Sequence, residues 1–198
     1  MDLIGSETAR INFLKVTDAL NRPGVKRLTN YLQNETDFFK APASASYHLN
    51  FPGGLAIHSF NVYRELYNIV NLKNGLMKYG ESIAIVSLFH DVCKIGCYKT
   101  VDKWRKDENG KWESYQTYAW NDDFPFGHGE KSVHIIEKYI SLTDEEALAI
   151  RWHMGAHDMA AKDWAGEKQL TAARIKSPLV TALHLADMMA TWFDETEY

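Results

Sequence analysis

The stretch His90-Asp91-Val92-Cys93-Lys94 places an imidazole, a carboxylate and an ammonium within one turn and a half of chain. It follows directly on the apolar run Ile83-Ala84-Ile85-Val86-Ser87-Leu88-Phe89. A helix that is apolar on every side lies inside a protein, and it carries these polar groups in with it. Burying them is unfavourable unless something compensates them, and a bound cation does so. Without a ligand the same stretch reads as a helix C-terminus, where His90 and Lys94 answer the dipole and Gly96 supplies the stop. That reading gives Asp91 no purpose, since a carboxylate is unfavourable at this end of a helix.

Further along the chain, His58, His128 and His153 each fall near a predicted helix terminus or beside a glycine. Asp187 stands within Leu185-Ala186-Asp187-Met188-Met189-Ala190, where a lone carboxylate needs a partner or a metal. Singly, each histidine is more often a core or surface residue than a ligand. Together the four imidazoles and two carboxylates make a mixed nitrogen and oxygen set. It suits octahedral iron, manganese, cobalt or nickel, and zinc less selectively. The remaining histidines, His48, His134, His157 and His184, are read as structural or as supports behind the ligands.

The elements that must position these groups are mostly helices. An amphipathic helix from about Thr8 to Asn21 offers Ile11, Leu14, Ala19 and Leu20 for burial, and Pro23-Gly24 ends it. A second runs from Val25 to about Asn34 with Val25, Leu28, Tyr31 and Leu32 inward. Phe38 to Gly54 is punctuated as a loop by Pro42, Pro52 and Gly53-Gly54. Helix resumes from Leu55 to about Val70, with His58 in its first turn, and the buried helix ending at His90-Asp91 follows. The middle of the chain turns aromatic and β-branched over Tyr98–Arg105 and Trp112–Trp120, with Asp107-Glu108-Asn109-Gly110 as a turn between them. This predicts a β-hairpin, residues 98–120, set into a helical protein. Helix returns from about Glu130 to Ile140. Thr143-Asp144-Glu145-Glu146 is a capping box for a helix carrying Trp152 and His153. A loop is expected from Gly155 to about Lys176, and Ser177-Pro178 opens a last helix bearing His184 and Asp187.

The 198 residues predict a single domain, 1–198, with N-terminal helices (1–50) packed on a core (53–190). A net charge of -4 excludes a general nucleic-acid coat but allows a local cationic pocket. Cys93 and Cys97 are too few for a disulfide framework and, as soft metal ligands, would make only half a structural zinc site, so they read as free, packing thiols of a reducing cytosol. The segment Met1–Glu7 has no basic region followed by an apolar core, so no signal peptide is expected there. No apolar run approaches the roughly 20 residues of a membrane span. A cytoplasmic location is the expectation.

Five blocks in order carry a resemblance: Gly53-Gly54-Leu55-Ala56-Ile57-His58, His90-Asp91-Val92-Cys93-Lys94-Ile95-Gly96, Gly127-His128-Gly129, Trp152-His153-Met154-Gly155 and Leu185-Ala186-Asp187. Their pattern resembles the HD-domain metal-dependent phosphohydrolase superfamily, over about Gly53 to Asp187. The closest pattern is that of the HD module of bacterial 3'-5' exoribonucleases. Those enzymes carry an N-terminal OB-type nucleic-acid domain that has no counterpart in this chain. The resemblance implies an HD-type helical bundle in which His58, His90, Asp91 and Asp187 hold one divalent transition metal. In subfamilies with two further histidines a second ion binds, which implies His128 and His153 as its ligands with Asp91 bridging. It implies hydrolysis of a phosphate ester or anhydride by metal-activated water, Asp91 and Lys94 serving catalysis. Two ions about 3.5–4 Å apart suit that chemistry independently of the likeness. The expected substrate is small, phosphorylated and nucleotide-like, and long nucleic acid is not expected. Lys94, Lys99 and Phe126 are its candidate contacts, with Lys94 otherwise a simple helix-end cation. Trp104, Trp112, Tyr115, Tyr118 and Trp120 on the locally basic hairpin offer stacking faces for a base, or simply cross-strand pairs. Two other readings stand beside this one: 3'-5' trimming of short oligonucleotides, and a non-catalytic nucleotide-binding module with a structural metal. A homo-oligomer built on the N-terminal helices is compatible with each.

Overall fold

The computed structural model describes residues 5–196; of the N-terminal segment read above, residues 1–4 lie outside that range. Eight α-helices and one hairpin follow in order: α1 Ser6–Ala19, α2 Val25–Asn34, α3 Gly54–Leu72, α4 Ser82–Phe89, β1 Tyr98–Lys106, β2 Trp112–Trp120, α5 His128–Glu137, α6 Asp144–Arg151, α7 Trp164–Lys176 and α8 Pro178–Met189. The chain is therefore mainly helical with a two-stranded antiparallel sheet, as its patterning predicts. Among the described residues, no helix is long and apolar enough to cross a membrane.

The apolar run before His90 is α4, buried from Ile83 to Phe89. It packs on α3, which also meets α1 and α8, while α6 joins α5 to α8. All eight helices feed one hydrophobic cluster that extends from Phe13 to Ala190. Nearly the whole first half of α3, Gly54 to Val62, is buried, so His58 is inside by position rather than by choice of side chain.

Local signals account for several boundaries. Thr143 and Glu146 form the reciprocal capping box at the start of α6. Ser177 Oγ accepts from the Leu179 N–H ahead of Pro178 at the first turn of α8. In the hairpin turn Asp107 Oδ1 accepts from the Asn109 and Lys111 N–H groups at 2.9 and 2.8 Å. The ladder pairs Tyr98 with Trp120 and Lys106 with Trp112.

The structure departs from expectation in four places. α1 buries Ala9, Phe13 and Thr17, leaving Ile11 and Ala19 exposed, because Phe13 is drawn into a ring cluster with Phe38, Phe39 and Phe89. α5 begins two residues early, at His128 itself. α6 stops at Arg151, so His153 lies beyond its end. Most of the segment expected as a loop after Gly155 is α7, capped by Asp163, whose Oδ1 accepts from the Gly166 N–H at 2.8 Å.

Candidate metal centre

The side chains singled out from the sequence arrive from five elements. His58 comes from α3, His90 caps the C-terminus of α4 and Asp91 follows it. His128 is the first residue of α5, His153 follows α6, and Asp187 is in the last turn of α8. They meet. Asp91 is the hub: its Oδ1 lies 2.9 Å from His128 Nε2 and 3.5 Å from His153 Nε2, and its Oδ2 lies 3.5 Å from His90 Nε2 and 3.6 Å from His58 Nε2. His58 Nε2 is in turn 3.2 Å from Asp187 Oδ1 and 3.3 Å from His90 Nε2. Donor atoms that could hold a metal ion group as His58–His90–Asp91 and His90–His153–Asp187, with Asp91–Cys93–His128 and His48–His58–Glu195 alongside.

Two of the imidazoles are set by the same local device. His90 Nδ1 donates to the Ser87 carbonyl at 2.8 Å and His153 Nδ1 donates to the Ile150 carbonyl at 2.7 Å, each three residues back at a helix C-terminus. A carbonyl only accepts, so Nδ1 carries the proton and the Nε2 lone pair is left facing Asp91. Those two helix ends also direct negative dipole potential at the same point, which favours a cation there. His153 Nε2 is buried and has no hydrogen-bond partner. An orphaned buried acceptor is unfavourable, and a bound ion would satisfy it. On these grounds the donor set could hold a metal ion.

Glycine allows the approach of α5 to α6. A Cβ on Gly129 would run into the Arg151 carbonyl, so only glycine lets His128 come this close to His153. Gly155, at φ +56, leaves room for the His184 ring, whose Nδ1 donates to the His153 carbonyl at 2.6 Å. His184 thus steadies the peptide that carries His153.

Lys94 lies one turn past Asp91 and donates to its Oδ2 at 2.7 Å and to the Ala43 carbonyl at 2.8 Å. Burial would raise the Asp91 pKa, but Lys94, His90 and the other imidazoles hold the carboxyl well below its ordinary value. Burial would likewise lower the Lys94 pKa, and Asp91 outweighs it and raises the ammonium's pKa. Asp187 is also held below the carboxylate range, with burial opposed chiefly by His58. The hub is therefore an ionised carboxylate kept so by its own cation.

Three residues near the cluster were not read as functional from the sequence. Glu195, just past a π turn at Ala190–Asp194, reaches His58 Nδ1 at 3.0 Å. His48 Nε2 lies 3.7 Å from Glu195. Cys93 Sγ lies 3.4 Å from His128 Nδ1, so this thiol touches a candidate ligand as well as filling space. Both cysteines are free and buried. The candidate substrate contacts diverge. Lys99 is exposed on β1 opposite Ala119. Phe126 stacks on Phe124 at 5.3 Å and lines a separate groove between α5 and α6. A cavity of about 220 Å3 opens at the edge of the cluster beside His128, bounded also by Cys93, Lys131, Asp122 and Trp120.

Comparison with protein-family models, with curated proteins and with solved structures returned no match. What the chain shows by itself is a buried histidine and aspartate cluster that could hold a metal ion, an arrangement consistent with an HD-like site.

Proposed function

We propose that the chain is a metal-dependent phosphohydrolase of the HD superfamily, acting on a phosphate ester or anhydride of a small nucleotide-like substrate in the cytoplasm. One observation carries the reading: His58, His90, Asp91, His128, His153 and Asp187, dispersed over the chain, converge on one buried point with the Nε2 atoms of His90 and His153 left as acceptors. His58, His90, Asp91 and Asp187 would hold one divalent ion, and His128 and His153 a second with Asp91 shared. Such ions, when bound, supply Lewis-acid polarisation of a phosphoryl oxygen and lower the pKa of a water.

The chain's own groups do the rest. Lys94 keeps Asp91 ionised and fixed, and neutralises part of the carboxylate charge that an incoming phosphate would meet. The cavity beside His128 gives the substrate its approach. Lys131, one turn after His128, brings a buried ammonium to the cavity wall, where Asp122 Oδ1 holds it at 2.6 Å. Trp120 offers a ring at the rim, half exposed at 48%, on which a base can stack. The cavity is below the roughly 300–1,000 Å3 usual for ligand pockets, so it takes one compact part of a substrate.

A second substrate reading, a short oligonucleotide, is favoured by Trp104 and Trp112, which are 65% and 59% exposed further out on the basic hairpin. The test is phosphate or nucleotide release by metal-loaded protein from nucleoside mono- and triphosphates, dinucleotides, cyclic dinucleotides, model phosphodiesters and a 3'-labelled oligomer. Turnover of a small substrate, lost in Asp91→Ala, is the expected result. Trimming of the oligomer alone moves the assignment to an exonuclease. No turnover of any of them leaves a nucleotide-binding module with a structural metal.

A further inference from the structure

We infer that Glu195 is a positioning residue of the metal centre: it holds His58 as the Nδ1-protonated tautomer, aims its Nε2 at the ion and raises its strength as a ligand. This rests on the metal reading above and adds a residue to it. His90 and His153 are oriented by backbone carbonyls, whereas His58 has a carboxylate behind it. Glu195 Oε1 and Oε2 lie 3.2 and 3.0 Å from His58 Nδ1. The carboxylate is buried and is itself held: Asn61, one turn past His58 on α3, donates its Nδ2 to Oε1 at 2.9 Å. Arg64 Nη1 in turn donates to Asn61 Oδ1 at 3.4 Å. A carboxylate on the far nitrogen of a ligating histidine fixes its tautomer and increases its basicity.

The backbone places Glu195 there by an irregular turn. On a continuous α-helix Glu195, eight positions beyond Asp187, would stand about 80° round the axis from it. The chain instead passes through the π turn Ala190–Asp194, whose wider turn takes up that angle. Asp187 and Glu195 then reach opposite nitrogens of one ring, Nε2 and Nδ1. π turns are rare and frequently lie at functional sites.

The test is binding of Zn2+ alone, by competition with a chromophoric chelator, to the full chain and to Glu195→Gln, Glu195→Ala and Asn61→Ala. Nitrogen-detected histidine spectra are recorded on the same samples. Relative to the parent chain, Glu195→Gln should weaken binding about tenfold and Glu195→Ala towards a hundredfold, with the number of ions bound unchanged. The His58 Nδ1–H of the loaded parent chain should show the downfield shift and slow solvent exchange of a hydrogen bond to a carboxylate, and both should be lost in Glu195→Ala. Equal affinity in all variants with the Nδ1–H signature intact overturns the inference while leaving the metal reading standing. If Glu195→Ala does not fold, Asn61→Ala decides: a several-fold loss supports the inference and parent-like affinity overturns it. A parent chain that takes up no Zn2+, Mn2+ or Co2+ overturns the metal reading itself.

Discussion

His58 carries a carboxylate at each ring nitrogen, and this determines how the centre must respond to pH. Burial alone would lower its pKa, but Glu195 and Asp187 outweigh burial and hold it at about 10. For His128, burial is outweighed by Cys93 and Asp91, and its pKa stands at about 9. At neutral pH both rings therefore carry a proton that an ion must displace. Apparent metal affinity should rise with pH, about tenfold per unit for the first ion, and flatten near pH 10. Titration calorimetry in buffers of different ionisation enthalpy would count the released proton. Affinity independent of pH between 6.5 and 9 would show that His58 is not a ligand. The six candidate ligands were legible in the sequence because they sit at helix ends or in apolar company, where their cost demands an explanation. Glu195 was not, because its relation to His58 depends on a turn of irregular pitch. Nor was the link between His184 and His153, which is a tertiary hydrogen bond with no local signal.

At the scale of elements, the site is a meeting of helix ends, and the contacts that lock those ends should govern it. Arg22, in the connection between α1 and α2, donates to Glu146 Oε1 and Oε2 at 2.8 and 3.1 Å. Glu146 is almost fully buried and also serves the α6 cap through the Thr143 N–H. Arg22→Met would leave that carboxylate buried without a cation and should destabilise the fold by about 3 kcal/mol, read by urea denaturation; a loss under about 0.5 kcal/mol would mean water reaches Glu146. Gly129→Val should act differently. It would push α5 from α6 and separate His128 from His153, so metal uptake by His128 should fall even where the fold survives. Boundaries set by caps were readable, as Thr143 and Ser177 show. α7 was not: its buried stripe is only Gly166, Leu170 and Ala173, while Trp164 and Ile175 lie exposed and blur the periodicity. In α1 half of the expected face holds, Leu14 and Leu20 packing against the core, while Ile11 and Ala19 are exposed because the ring partners that draw Phe13 inward come from remote segments.

For the whole molecule, the charges gathered at the centre make the metal-free fold sensitive to pH on both sides. Asp91, Asp187 and Glu195 are held below their ordinary values, burial being outweighed by Lys94 and the imidazoles. Their stabilisation is present above about pH 4 and is lost as pH falls through the folded values. His58 and His128 have raised values, so their contribution is complete below about pH 6.5 and is lost as pH rises through about 9 and about 10. The melting temperature of metal-free protein should therefore decline between pH 6.5 and 10, and added metal should raise it more at pH 9 than at pH 6. A flat profile across that range would contradict the protonated state assigned to these histidines.

The central claim is that His58, His90, Asp91 and Asp187 grip a divalent ion, and anomalous diffraction from crystals grown with Mn2+, Co2+ or Zn2+ tests it most directly. A strong anomalous peak enclosed by those four side chains is expected, and its loss in Asp91→Ala. A peak elsewhere, or none at saturating metal with the cluster intact in the map, would contradict it.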